Sequence, residues 1–204
     1  MGLTLNAAAF RAWTQLCAGA LSSARAEIDA LNVFPVPDSD TGTNAYLTFV
    51  SGADAADAQP ADADFDALVK AYVDGLLTGA KGNTGVILSQ LVRACFGGLS
   101  TDREVSAADV AQAFVAASDA AWAAVGVPVE GTILSVAKAA AAGATQAADA
   151  GVDGRTVFAR AAQAAREALA RTPEQMDLLM RAGVVDAGGR ALVVVLDATE
   201  QALT

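Results

Sequence analysis

Asp38 and Asp40 stand two positions apart, behind the proline-broken stretch Val33-Phe34-Pro35-Val36-Pro37 and ahead of Thr41-Gly42-Thr43-Asn44. Each proline lacks an amide donor and restrains the residue before it, so no helix runs through this stretch. Two carboxylates ~4 Å apart repel by roughly 4 kcal/mol at an effective dielectric of ~20. A solvated loop relieves that by spreading them; a hard divalent cation turns it into attraction. Oxygen ligands on a stiff loop beside a helix start suit magnesium bound to substrate phosphates. An EF-hand is excluded, because the sixth and twelfth positions counted from Asp38 are Thr43 and Phe49 rather than Gly and Glu. The competing reading is a helix-capping turn with exposed aspartates.

Three further loops carry weaker signals. Gly79-Ala80-Lys81-Gly82-Asn83-Thr84-Gly85 leads straight into Val86-Ile87-Leu88. Glycines let backbone amides approach a ligand, and the first amides of a helix lack internal partners, so a phosphate is welcome there. It is not a Walker A loop, since no Gly-Lys-Ser/Thr follows; a plain turn between helices explains it equally well. In Glu130-Gly131-Thr132-Ile133-Leu134, Thr132 can cap a helix, while Ile133 and Leu134 suit either the core or an adenine ring. In Gly183-Val184-Val185-Asp186-Ala187-Gly188-Gly189, Asp186 sits where an N-cap is the default. A ribose hydroxyl or the metal site is the alternative partner for Asp186.

The elements that must position these loops read as helices. Phe10, Trp13, Leu16, Cys17, Leu21, Ile28 and Leu31 recur at three- and four-residue steps, predicting a helix over Ala7 to Leu31. A second is expected from Thr43 to about Val50, followed by a solvated loop from Ser51 to Asp64. Helices from Phe65 to Leu77 and Thr84 to Phe96 follow, with a connection from Gly97 to Val105. A fifth helix, capped by Ser106 with Asp109, runs to about Gly126. A sixth covers Thr132 to Ala148, and a seventh runs from Asp153 to before Pro173. A turn through Met176 and Met180 precedes the last helix near Gly188. Polar, glycine-bearing turns therefore precede the second, fourth, sixth and eighth principal helices. In an up-down arrangement these start at one end, and the four loops meet around one mouth.

The totals agree. The chain has 204 residues, 54% of them hydrophobic but only 5% aromatic, with alanine dominant. This favours closely packed helices over a β-sandwich, in one domain spanning 1–204. A formal net charge of -10 argues against nucleic acid, which needs clustered Lys and Arg. There is no signal-peptide pattern and no apolar run of transmembrane length. Cys17 and Cys95 read as reduced core residues, so a cytoplasmic location is expected. The absence of histidine removes any histidine base, nucleophile or ligand from within the chain.

Together the four loops resemble the kinase domain called DAK2, or DhaL-like, of the dihydroxyacetone kinase superfamily, and more closely the N-terminal domain of bacterial fatty acid kinase. The resemblance rests on Asn32 to Asn44, Gly79 to Gln90, Gly131 to Leu134 and Gly183 to Gly189, in that order along the chain. It implies an all-α, antiparallel eight-helix barrel with ATP at one end and two magnesium ions bridging the phosphates. Asp38 and Asp40 would be the metal ligands and catalytic pair, with Asn32 as the nearest counterpart of a further metal-binding aspartate in the sugar-kinase branch. Thr43, Asn44, Lys81, Gly82, Asn83 and Thr84 would contact phosphate or the metal shell; Thr132, Leu134, Asp186 and Gly188 would border the nucleoside. Many relatives have glycine where this chain has Ser39. The activity implied is transfer of the γ-phosphoryl group to a fatty-acid carboxylate presented by a separate binding protein. Further domains of the same kinase and a homodimer are expected alongside. A dihydroxyacetone-type phosphotransferase subunit and a non-enzymatic helical module are the alternatives.

Overall fold

Ten helices and no strand are found in the computed structural model, which describes residues 5–99 and 104–203. Eight are long: α1 (Ala7–Leu31), α2 (Thr41–Asp57), α3 (Phe65–Gly79), α4 (Gly82–Gly97), α5 (Ala107–Ala123), α6 (Ile133–Asp149), α7 (Gly154–Ala170) and, last in the chain, α10 (Ala187–Leu203). Two are short, α8 (Thr172–Gln175) and α9 (Asp177–Ala182), where a turn through Met176 and Met180 is expected from sequence. The all-α reading therefore holds. Residues 100–103 of the expected connection between the fourth and fifth helices lie outside the described residues.

The long helices pack in chain order and the ring closes between α10 and α1. Two polar contacts fix that closure and its direction. Near the start of α1, the Trp13 indole donates to Thr199 Oγ1 at 2.8 Å; near its end, Glu27 Oε1 accepts from Arg190 Nε at 2.7 Å. Thr199 is late and Arg190 early in α10, so the two helices are antiparallel.

The starts of α2 and α4 lie side by side, since the Thr48 hydroxyl accepts from the Lys81 amide at 3.0 Å. The starts of α6 and α10 likewise meet, with Ile133 against Gly188 and Val136 against Gly189. Because α1 ends where both α2 and α10 begin, all four starts share one end, the mouth.

The far end is plugged by rings. Phe10 lies 5.3 Å from Phe65, 5.4 Å from Phe96 and 5.6 Å from Tyr72 between centroids, all edge to face, a favourable arrangement for aromatic pairs. Arg11 finishes the nearby end of α2, donating to the carbonyls of Ala56 at 2.7 Å, Gln59 at 3.2 Å and Pro60 at 2.7 Å.

The expected loop from Ser51 to Asp64 is corrected: α2 runs on to Asp57. The stretch is rich in alanine, the best helix former. Gly52, Ala53 and Ala56 are buried. Gly52 lies against Tyr72 and Leu76, a contact close enough to exclude larger side chains. Packing against α3 thus overrides the polar and glycine signals. The locally strand-like Val193, Val194 and Val195 lie inside α10, all buried.

Candidate functional site

The first loop is held by its own side chains. Asn32 donates through Nδ2 to the Val36 carbonyl at 3.0 Å, while its Oδ1 accepts from the Asp40 amide at 3.2 Å. Both ends of the Asn32 amide thus serve the loop. Phe34-Pro35 is a cis peptide, and Ser39 has φ +55°. That left-handed conformation favours glycine, which accounts for the glycine of the resembling pattern. Asp38 is exposed and Asp40 half-buried.

Asp40 occupies the N-cap position of α2 but makes no capping bond with its side chain. The amide it would ordinarily take, that of Thr43, donates instead to Asp29 Oδ1 at 2.9 Å, and the Thr43 hydroxyl donates to Asp29 Oδ2 at 2.7 Å. Asp29 was not legible as a site residue. The available signal was weak: a carboxylate in the last turn of a helix faces the negative end of the dipole, so it needs another partner.

The second loop joins the first. Gly82 has φ +58°, and a Cβ there would lie 2.6 Å from Asn44 Nδ2. Lys81 occupies the N-cap position of α4, again without a side-chain capping bond. The amides of Thr41, Gly42, Gly82, Asn83 and Thr84 make no hydrogen bond among the described residues. Two helix N-termini therefore present open donors side by side, flanked by the side chains of Asn44, Lys81, Asn83 and Thr84. Open donors at the positive end of the helix dipole are what an anion binds.

The third and fourth loops form the other half of the mouth. Thr132 caps α6 at Leu134 N, 3.3 Å, and donates to the Val129 carbonyl at 2.7 Å. Ser135 Oγ accepts from the Gly131 amide at 2.9 Å and donates to Glu130. Ile133 and Leu134 are both buried within the hydrophobic core.

Asp186 is buried and caps α10, accepting from Gly189 N at 2.7 Å. Its own amide donates to Thr172 Oγ1 at 3.0 Å, which ties the loop to α8. Burial pushes its carboxyl up to about 6, against the pull of the Gly189 and Ile133 amides. Of the alternatives for Asp186, the cap is the one present, and it braces the starts of α6 and α10 together. Gly188, also buried, is wedged between this carboxylate and Ile133.

No group of three acidic or cysteine side chains able to hold a metal is found among the described residues. What the mouth offers is the Asp38 and Asp40 pair beside two open helix starts. Those hard oxygen donors fit a magnesium ion that completes its shell with phosphate oxygens and water.

The rim is apolar. Among the described residues, the exposed large hydrophobics are Val36, Leu47, Val86, Val127, Val129, Leu178 and Met180. Each lies in a mouth loop, in α9 or in the first two turns of α2 or α4, and Val127 is 80% exposed. No helix is long and apolar enough to cross a membrane among the described residues.

The DAK2 domain profile matches residues 35–201. Protein YloV of Bacillus subtilis is 45% identical over 177 residues, covering 87% of this chain and 32% of the relative. An uncharacterised protein of Staphylococcus epidermidis is 43% identical over 170 residues, covering 83% of this chain and 31% of the relative. The chain thus spans about a third of the length of the curated relatives it matches.

Among solved structures, the native dihydroxyacetone kinase of C. freundii superimposes with TM-score 0.62 at 18% identity, over 98% of this chain and 35% of that one. The same enzyme in complex with AMP-PNP and Mg2+ gives 0.60 at 17% identity, over 98% and 35%. At that identity the likeness speaks for the fold.

Proposed function

Since the chain belongs to the DAK2 domain family, we propose that it is the Mg-ATP-binding kinase domain of a fatty acid kinase. It would pass the γ-phosphoryl group to a fatty-acid carboxylate presented by a separate binding protein, giving an acyl phosphate. The observation that carries this reading is the pairing at the mouth. The starts of α2 and α4, neither capped by its own N-cap side chain, lie side by side with open amides, and the Asp40 carboxylate at the first of them makes no capping bond.

Phosphoryl transfer needs alignment and charge neutralisation more than covalent help from protein. In this reading the amides of Thr41, Gly42 and Gly82 to Thr84 hold phosphate oxygens, with Asn44, Lys81, Asn83 and Thr84 supplying side-chain donors. Asp38 and Asp40 hold two magnesium ions, which supply the charge neutralisation across the phosphates when bound. Asn32 keeps the loop folded beneath them. Thr132, Gly188 and the backbone up to Leu134 border the nucleoside, with Asp186 bracing them. A carboxylate acceptor is ionised at neutral pH and needs no general base, which agrees with a chain that contains no histidine.

The exposed apolar side chains around the mouth are compatible with an acceptor delivered by a protein, and a net charge of -10 disfavours anionic membrane as the alternative. Further domains of the kinase, a homodimer and a cytoplasmic setting belong to the same reading.

The experiment is calorimetric titration of the chain with ATP in the presence and absence of Mg2+. It is followed by an acyl-phosphate assay with a fatty-acid-loaded binding protein, run against dihydroxyacetone with its presenting subunit. Magnesium-dependent binding with acyl-phosphate formation supports the proposal. Phosphorylation of dihydroxyacetone alone would replace it with the sugar-kinase reading. No magnesium-dependent binding at all would leave a non-enzymatic helical module.

A further inference from the structure

The two halves of the mouth are tied by different hydroxyls. Thr48 joins the starts of α2 and α4 through the Lys81 amide. On the side of the third and fourth loops the tie is Thr172, the first residue of α8, which is fully buried. Its hydroxyl is used in both directions: it accepts from the Asp186 amide at 3.0 Å and donates to the Leu169 carbonyl at 2.8 Å. The first bond fixes the fourth loop and the second fixes the end of α7. The Thr172 carbonyl oxygen is in turn the seat of the third loop. A Cβ at Gly131 would lie 3.1 Å from that oxygen, 3.1 Å from Gln175 Cβ and 3.2 Å from Met176 Cβ, at a φ of +79°. Glycine alone adopts that conformation freely and lets backbone come so close. One buried residue is therefore the common reference of both loops. From it, Asp186 carries the register on to the Gly189 amide and, by contact, to Gly188. Among the described residues, no hydrogen bond joins this network to the starts of α2 and α4.

We propose that Thr172 is a positioning residue: by holding the third and fourth loops in register, it sets the affinity for the nucleoside without touching it. The inference rests on the kinase reading, because the register of these loops matters to binding only if the mouth takes a nucleotide. A buried amide that loses its acceptor is costly. Without the Thr172 hydroxyl, the turn at Asp186 shifts to find another partner, and Gly188 moves away from Thr132 across the nucleoside border. The phosphate contacts at α2 and α4 stay in place, since other groups hold them.

The test compares Thr172→Val, which keeps the shape but not the hydroxyl, and Thr172→Ser, which keeps the hydroxyl, with the unaltered chain. Each is titrated by calorimetry with ATP and with inorganic triphosphate, both in the presence of Mg2+. Thr172→Val should weaken ATP binding about tenfold, the scale of one buried donor left unpaired. Its triphosphate binding should stay within about twofold of the unaltered chain, as expected of independent sites. Thr172→Ser should bind both ligands within about twofold. Should Thr172→Val fail to fold, Gly131→Ala, which displaces the third loop from the same seat, carries the same prediction of a loss confined to ATP.

Equal losses for ATP and triphosphate would show a general loss of structure and overturn the positioning role. So would undiminished ATP binding by a folded Thr172→Val, or a Thr172→Ser that binds ATP no better than Thr172→Val. If the unaltered chain binds neither ligand with Mg2+, the kinase reading itself fails and this inference with it.

Discussion

At the far end of the barrel, α1, α3, α5 and α7 each begin under a side chain of their own. Asn6, Asp64, Ser106 and Asp153 accept from the third helical amide, and Ser106 with Asp109 completes a capping box. Aromatic rings fill the space between, and Arg11 closes the end of α2. At the mouth, α6 and α10 are capped by Thr132 and Asp186, but α2 and α4 begin uncapped by their own N-cap side chains. The exposed large hydrophobics gather at this end as well. One end is closed by its own side chains, and the other leaves helix amides open. Stability spent on the first lets the second keep unsatisfied donors, each of which costs free energy when nothing binds.

The largest expected effect breaks the open end. Asp38→Ala with Asp40→Ala should lower magnesium-dependent nucleotide affinity by more than about a hundredfold, the several kcal/mol of a metal clamp. Helicity by circular dichroism should stay unchanged. Retained affinity in calorimetry would remove the carboxylate pair from the site.

The two ends also differ in their response to pH. Burial raises the Asp186 carboxyl from the usual 3.8 to about 6, so the folded chain holds this proton more tightly than the unfolded one. Its favourable contribution is complete below pH ~4 and is lost as pH rises through 6, about 3 kcal/mol in all. Denaturant titrations of the unaltered chain and Asp186→Ala should therefore converge by that amount between pH 4 and 7. At the far end, Asp153 is lowered by the Thr156 amide and hydroxyl. Its contribution is present above the usual carboxylate range and fades as pH falls. A carboxyl NMR titration placing Asp186 below Asp153 would reverse this assignment.

Gly42→Ala sets a Cβ against backbone, which cannot yield as a flexible side chain can. A loss of about 2 kcal/mol in urea unfolding is expected, with weaker nucleotide binding because the start of α2 moves. By contrast, Asp64→Ala at the far end should cost about 1 kcal/mol of stability and leave nucleotide affinity unchanged. A fall in affinity there would show that the two ends are coupled. The smallest effect sharpens the loop: Ser39→Gly relieves a positive φ and should raise stability by about 0.5–1 kcal/mol, again without altering affinity.

Much of this contrast was legible beforehand. Ser106 with Asp109, Asp153 at the expected start of the seventh helix and the alternation of polar turns are local patterns; the Ser106 cap is present and Asp153 lies one residue ahead of its helix as the N-cap. The extension of α2 through Gly52 to Asp57 was not legible, because it depends on Tyr72 and Leu76 coming alongside. Asp29 escaped for the same reason: its partner Thr43 is 14 residues away, across a proline-broken loop. Asp186 had a cap, a ribose hydroxyl and the metal site as readings, and its bond to the Gly189 amide is seen only in the folded chain.

Residue order alone determined the all-α class, most helix boundaries and the chemistry of the loops, because propensity, capping and proline effects act within a few positions. Tertiary structure decided which helix starts stay open and which carboxylate is free. Those depend on groups from α1 and α3 reaching α2 at distances that no local pattern encodes.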